Sequence, residues 1–360
     1  MTISFEPRSD NGLADGASLA GFFSGSGFAG AARLTEIEDF GANPGRLTML
    51  CHVPQDVAGP MPLVVVLHGC QQTASIYDRG AGWAAMGDRH GFAVLYAEQQ
   101  RRNNPHLCFD WYLRNHSSRD RGQPASIREM IDRMVADHPI DRTRIFVTGL
   151  SAGGAMASIL LATYPEVFAG GAILAGLPYR AATTLRGGVD AMTRGTGRSH
   201  AALADAVREA TDHAGPWPRI SVWHGTADDT VAPANAEEIA GQWLALRGLD
   251  RTAPTHDRHD RSGRHVVWSD GSDRPVVELR LLDGLGHGAP VRAGAATWPM
   301  PFFLPAAVSS TEEIANFFGL LPEAAARPTP ALAAIDDKGG FGAWIASHLG
   351  SLLDRLRLRG

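Results

Sequence analysis

The sequence is short of lysine, of cysteine and of long apolar runs, and each shortage excludes a class of function. Lys338 is the only lysine among 33 basic residues. This arginine preference reads as coding bias, and it removes Schiff-base chemistry at a buried lysine. Cysteine occurs three times, as Cys51, Cys70 and Cys108. Three thiols cannot build a disulfide framework, and they lack the paired spacing of a zinc site, so no metal is expected. At most one pair can bridge, and in a cytosol all three are expected to be reduced. No apolar stretch approaches the roughly 18 residues of a membrane span, so integral membrane association is not expected. The opening MTISFEPRSDNG carries Glu6 and Asp10 and lacks the basic start and apolar run of a secretory signal, which makes the cytoplasm the expected location. Positive charge is also scarce: 33 basic residues face 38 acidic ones, for a formal net charge of −5. Nucleic acid binding depends on phosphate neutralisation and is not expected.

What remains is the composition of a folded protein, 44% hydrophobic and 20% charged, far from the polar, highly charged corner where chains stay disordered. A chain of this length buries roughly three quarters of its unfolded surface, enough for a core without disulfide or metal.

Residues 1–44 are rich in Gly, Ala, Ser and Phe without helical or strand period, and they read as an arm packed on the main domain. From Arg46 short aliphatic runs alternate with Ala-rich stretches of helical spacing. The runs are RLTMLCHV, LVVVL, FAVLYA, RIFVTG, GAILAG, RISVW and VVELRLL; the helical stretches are 79–90, 124–138, 153–165, 232–247 and 311–319. This alternation predicts an α/β fold, a mostly parallel central sheet with helices on both faces, over a domain spanning 45–321. Polar, Gly-rich residues 177–216 read as a cap-like insertion at the ligand edge. Residues 322–340 form a Pro- and Ala-rich linker. Residues 341–360 read as an amphipathic helix with a stripe of Phe341, Ile345, Leu349, Leu352, Leu353 and Leu356. That stripe is expected to dock on its own domain or to serve as a homodimer or polymer-granule contact.

The chemistry concentrates in Gly149-Leu150-Ser151-Ala152-Gly153, between the strand pattern RIFVT and the Ala-rich GAMASILLATY. In a strand–turn–helix of this type the serine sits on a sharp elbow, and glycines let the backbone pass close to its neighbours. The elbow exposes the hydroxyl and aims the Ala152 N–H, at a helix N-terminus, toward any oxygen bound beside it. A serine nucleophile needs a base and a group that orients it. His224-Gly225-Thr226-Ala227-Asp228-Asp229 follows the strand RISVW, and Gly284-Leu285-Gly286-His287-Gly288 follows VVELRLL; both place these groups at the carboxyl edge of the sheet. Of the adjacent carboxylates, one is expected to face inward and the other to cap the helix beginning near Ala232. The loop His68-Gly69-Cys70-Gln71-Gln72 after LVVVL supplies a second oxyanion donor, the Cys70 N–H. Cys70 as a nucleophile lacks an evident basic partner.

Taken together, LHGCQQ, Cys108-Phe109-Asp110-Trp111-Tyr112, GLSAGGAM, HGTADDTV, GLGHG and SSTEEIANFFGL resemble the poly(3-hydroxybutyrate) depolymerase-like esterases of the α/β-hydrolase fold, which include feruloyl and acetylxylan esterases. The resemblance spans about Pro62 to Leu320. It implies a Ser151–Asp228–His287 triad, with Asp228 favoured because the family's aspartate precedes its valine by three residues. It also implies that Trp111 lines a substrate groove, with Gln71 as a further substrate contact, and that Cys108 lies near Cys70, where a bond requires an oxidising compartment. Phe109 replaces the family's usual Trp, and Gly-Ala-Pro follows His287 where Ala-Trp-Pro is commoner. The expected function is a cofactor-free serine carboxylic-ester hydrolase acting on polyhydroxyalkanoate- or hydroxybutyrate-type esters or related small esters. A feruloyl or acetylxylan esterase, or a non-catalytic granule protein, are the alternatives.

Two motifs read as decoys. Gly25-Ser26-Gly27-Phe28-Ala29-Gly30 fits a dinucleotide pattern but follows no strand. The run from His256 to Asp260, with His265 beyond it, reads as a solvated loop before the hairpin HVVWSDG.

Overall fold

The computed structural model describes residues 34–55, 57–292 and 300–322. The Gly25–Gly30 motif, the linker from residue 323 onward and the C-terminal stripe lie outside the described residues. Strands are β1 (Thr35–Ile37), β2 (Thr48–His52), β3 (Met61–Leu67), β4 (Ala93–Glu98), β5 (Ile140–Leu150), β6 (Gly170–Leu174), β7 (Arg219–Gly225), β8 (His256–Asp260), β9 (Gly263–Ser269), β10 (Pro275–Leu282), β11 (Ala289–Arg292) and β12 (Phe303–Ala306). Helices are α1 (Ala74–Ala81), α2 (Trp83–His90), α3 (Gly122–Asp137), α4 (Ala152–Thr163), α5 (Leu185–Arg194), α6 (His200–Arg208), α7 (Ala234–Arg247) and α8 (Ser310–Phe317).

Ten strands form one sheet in the order β1-β2-β4-β3-β5-β6-β7-β10-β9-β8. Strands β4, β3, β5, β6, β7 and β10 run parallel, and antiparallel pairs flank them on both sides. The continuous apolar run of β3 is buried on both faces: Leu63, Val65 and Leu67 join the core formed with α3, α4, α6 and α7, while Val64 and Val66 join the core formed with α1, α2 and α8. Strand alternation thus feeds two cores from one short run.

Several expectations change. Thr35–Ile37, within the stretch read as an arm, pairs with β2 as an edge strand. The helical stretch 79–90 is broken at Gly82, whose φ of 74° ends α1 and starts α2. His256–Asp260 is an exposed edge strand rather than a loop, because its backbone pairs with β9 while Asp257 and His259 take Arg264 and Asp283 as partners. Residues 177–216 form the crossover from β6 to β7. Its α6 packs on α7 and α4, and α5 stands over the loop that carries Trp111 and Tyr112.

One buried charge ties β10 to its neighbours. Glu278, 4% exposed, accepts from the Ser221 hydroxyl at 2.5 Å and from His265 Nε2 at 3.0 Å, with Arg280 Nε at 3.7 Å. Burial pushes its pKa up, and the His265 bond, the Arg280 charge and the Ser221 bond more than offset that, leaving it below the ordinary glutamate value. With the folded-state pKa depressed, this stabilisation is complete above the unfolded pKa, about 4.3, and is lost as pH falls through the lower folded value. Glu278→Ala should lower stability at pH 7 by about 1–3 kcal/mol, since it leaves the buried Ser221 hydroxyl without its acceptor, while Arg280 keeps Glu313. Urea unfolding at pH 7 and again below pH 4 checks this: the difference from wild type should shrink at the acid end.

Candidate active site

Parallel strands put the ends of β3, β5, β7 and β10 at one edge of the sheet. Ser151 lies between β5 and α4 with φ 57° and ψ −118°, a strained backbone that costs on the order of 1–3 kcal/mol. It is held by the Ser151 N–H donating to Leu174 O at 2.8 Å and by Ala155 N–H donating to Ser151 O at 2.9 Å. The glycines around it are sterically required. A Cβ on Gly149 would stand 2.3 Å from Gly153 O, and one on Gly153 would stand 2.3 Å from Leu67 O and 2.5 Å from His68 O. The second contact brings the start of α4 against the loop that follows β3.

β7 and β10 are adjacent, and this adjacency brings acid and base together. The loops after them are stitched to each other: Thr226 N–H donates to Leu282 O, Ala227 N–H to Leu285 O, and Gly284 N–H to the Thr226 hydroxyl. His287 Nδ1 lies 2.8 Å from Asp228 Oδ2, and His287 Nε2 lies 2.9 Å from Ser151 Oγ. The Asp228 side chain is fully buried. Its Oδ1 accepts the Thr230 and Val231 N–H groups at 2.9 and 2.8 Å. Burial pushes its pKa up, but hydrogen bonds from His224 and His287 and their charge hold the carboxyl well below the usual range. An ionised Asp228 accepts the His287 Nδ1 proton, which leaves Nε2 as the lone pair facing the serine. Phe302 stands edge-on to His287 at 6.2 Å. Gly288 accounts for the departure after the histidine: a Cβ there would meet Phe302 O at 2.6 Å, the carbonyl that accepts the Ala289 N–H.

The loop after β3 is braced from behind. Gln99 N–H donates to His68 Nε2 at 3.0 Å, so the His68 proton sits on Nδ1, which donates to Gly69 O at 2.8 Å. Burial pushes the His68 pKa down to about 4, against the opposing pull of the Gly69 carbonyl, so the ring is neutral at pH 7. Gly69 N–H donates to Gln72 Oε1 at 2.9 Å, and Gln72 Nε2 donates to Pro301 O at 3.1 Å. Cys70 and Cys108 are disulfide-bonded, and Cys51 is a buried free thiol. The bond joins this loop to the one bearing Asp110, a buried carboxylate held by Gln123 Nε2 at 2.9 Å and Asn104 Nδ2 at 3.0 Å. Among the described residues, the N–H groups of Cys70 and Ala152 have no hydrogen-bond partner. Two free amides at a helix start and a braced loop suit a developing oxyanion.

The structure thus brings Ser151, His287 and Asp228 together, with Ala152 and Cys70 next to Ser151 and Gly69 in the chain. Trp111 is 7% exposed, edge-on to Tyr112 and covered by Gly188 of α5. Gln71 is exposed on a left-handed backbone, φ 64°, with its N–H donated to His106 O. Asp229 is exposed and does not cap α7, whose N-cap position is Pro233. Proline fixes a helical φ there and has no N–H of its own, and the Asn235 and Ala236 N–H groups are taken by Ala232 O and Pro233 O. Sequence reasoning passed over Gln72, Gln99, Gln123, His224 and Phe302. A linear pattern does not reveal which glutamine of a Gln-Gln pair turns inward.

The chain matches the family model for esterase PHB depolymerase over residues 48–266. It is 41% identical to poly(3-hydroxyalkanoate) depolymerase C of Paucimonas lemoignei over 295 residues, 80% of this chain and 70% of that one. Acetylxylan esterase A of Aspergillus oryzae is 30% identical over 268 residues, 71% of this chain and 84% of the other. Among solved structures, an acetyl xylan esterase from Aspergillus awamori superposes with a TM-score of 0.66 at 24% identity, covering 80% of this chain and all of that one, a likeness of fold. The chain therefore belongs to the esterase PHB depolymerase family and is a serine carboxylic-ester hydrolase on an α/β-hydrolase fold.

Proposed function

We propose that Ser151 is the nucleophile, His287 the general base and acid, and Asp228 the group that orients His287, acting on hydroxyalkanoate polyesters or their oligomers. The observation that carries this reading is the unbroken relay of 2.9 Å from Ser151 Oγ to His287 Nε2 and 2.8 Å from His287 Nδ1 to Asp228 Oδ2. Ser151 Oγ attacks the ester carbonyl as its proton passes to His287 Nε2. The tetrahedral oxyanion is taken by the Ala152 and Cys70 N–H groups. His287 gives the proton to the leaving alcohol oxygen, the C–O bond breaks, and Ser151 carries the acyl group. Water then attacks the acyl carbon, losing a proton to His287, which returns it to Ser151 Oγ. Trp111 and Gln71, on the two loops joined by the disulfide, contact the substrate. No cofactor enters these steps.

The polyester assignment is supported by the 41% identity to a depolymerase, against 30% to an acetylxylan esterase. The Cys70–Cys108 bond supports an oxidising compartment and weighs against the cytoplasm expected from the N-terminus.

Four measurements test these assignments. Ser151→Ala should leave less than about a thousandth of wild-type kcat and abolish labelling by a fluorophosphonate, with the fold intact by circular dichroism. Asp228→Asn should cost about 10⁴-fold in kcat because it favours the wrong histidine tautomer, while Asp229→Asn stays within about threefold; the reverse ranking moves the orienting carboxylate to Asp229. In a panel of hydroxybutyrate oligomers, acetylated xylan and feruloyl esters, the oligomers should show the highest kcat/KM, and a higher value for xylan or feruloyl esters overturns the substrate assignment. The same preparation, denatured without reductant, should titrate as one free thiol, Cys51.

A further inference from the structure

His224 is the residue at the site whose chemistry the relay leaves unused. It is 2% exposed, next to last in β7, and pairs across the sheet with Leu281 of β10. Its Nε2 lies 2.8 Å from Val231 O and 3.3 Å from Asp228 Oδ2. Both neighbours are acceptors, so Nε2 carries the proton, with the carbonyl as the near acceptor and the carboxylate as the far one. Nδ1 is buried without a partner among the described residues. A histidine placed for packing alone gains nothing from burying an unpaired ring nitrogen, which is costly. The other face of the ring's function is therefore the Nε2–H.

We infer that His224 is a positioning residue: its Nε2–H, shared between Val231 O and Asp228 Oδ2, fixes the carboxylate rotamer that presents Oδ2 to His287. The loop closes on itself. Asp228 Oδ1 accepts the Thr230 and Val231 N–H groups, and the Val231 carbonyl is returned to the strand by His224. Oδ2 thereby faces two N–H groups, one from His287 at 2.8 Å and one from His224 at 3.3 Å. Without His224 the Val231 carbonyl loses its tie to β7, the turn keeps only the Asp228 N–H bond to Gly225 O, and Oδ2 keeps His287 as its one side-chain partner, so the carboxylate is held less firmly toward His287. A misplacement of about 1 Å at a catalytic group costs on the order of 100-fold in rate.

This inference rests on the Ser151–His287–Asp228 assignment above, and the experiment separates the two. His224→Gln carries an N–H donor to about the position of Nε2; His224→Asn carries one that stops a bond short; His224→Phe keeps bulk and removes the donor. On a soluble ester, normalised to the folded fraction, Phe and Asn should lower kcat about 10- to 100-fold with KM within about threefold, and Gln should recover most of kcat. Asn and Gln carry the comparison if Phe does not fold. Loss of kcat equal in Asn and Gln, or kcat within threefold of wild type in Asn, overturns the positioning role. Ser151→Ala and Asp228→Asn are assayed beside them: if those two keep activity, the triad assignment fails, whereas their inactivity beside an active Asn variant sinks the inference alone.

Discussion

Much of the site depends on a close backbone approach where α4 begins against the end of β3. Gly153 has its Cα so near Leu67 O and His68 O that no side chain fits between. That approach brings the first turn of α4, with the Ala152 amide, alongside the loop that carries the Cys70 amide. On the opposite side Gly154 meets Leu174 O, the carbonyl that also accepts the Ser151 N–H. The strained serine is thus gripped between β3 and β6, and the strain is sustained by packing that involves every residue of α4, all of them buried.

The remaining parts attach to this junction in a graded way. The loop after β3 is braced by uncharged groups and one covalent link: a neutral His68, Gln72, Gln99 and the Cys70–Cys108 bond. The acid–base loops are braced by an ionised carboxylate surrounded by N–H groups. The difference fits the roles proposed for the two loops. An oxyanion forms only in passing and is best met by fixed dipoles that need not reorganise, whereas a histidine that gains a proton during each turnover is best met by a standing negative charge.

Charge burial within the sheet obeys the same logic. Glu278 is deep in β10 yet surrounded by Ser221, His265 and Arg280, and it holds the strand whose end becomes the His287 loop. The far side of that loop is tied down by β11, through Ala289 on Phe302 O and Ser310 on Pro290 O. The His287 loop therefore runs between two anchored strands.

Local sequence determined a good deal by itself. The aliphatic runs marked the parallel strands because a strand buried on both faces has no polar alternation to obscure it, and Gly149-Leu150-Ser151-Ala152-Gly153 marked the elbow because only glycine tolerates those contacts. That Ser151, Asp228 and His287 gather at one edge of the sheet was legible, since each follows a strand. Other features were decided only in three dimensions. The break at Gly82, the edge strands Thr35–Ile37 and His256–Asp260, and the two-helix crossover of 177–216 depend on backbone conformation and pairing that the residue types do not display. Which glutamine of Gln71 and Gln72 turns inward, why Asp229 caps nothing, and why His224 leaves one nitrogen bare follow from packing against Pro301, Pro233 and Val231. A linear pattern records what a residue can do; the direction in which a side chain points at a loop is set by the elements that close over it.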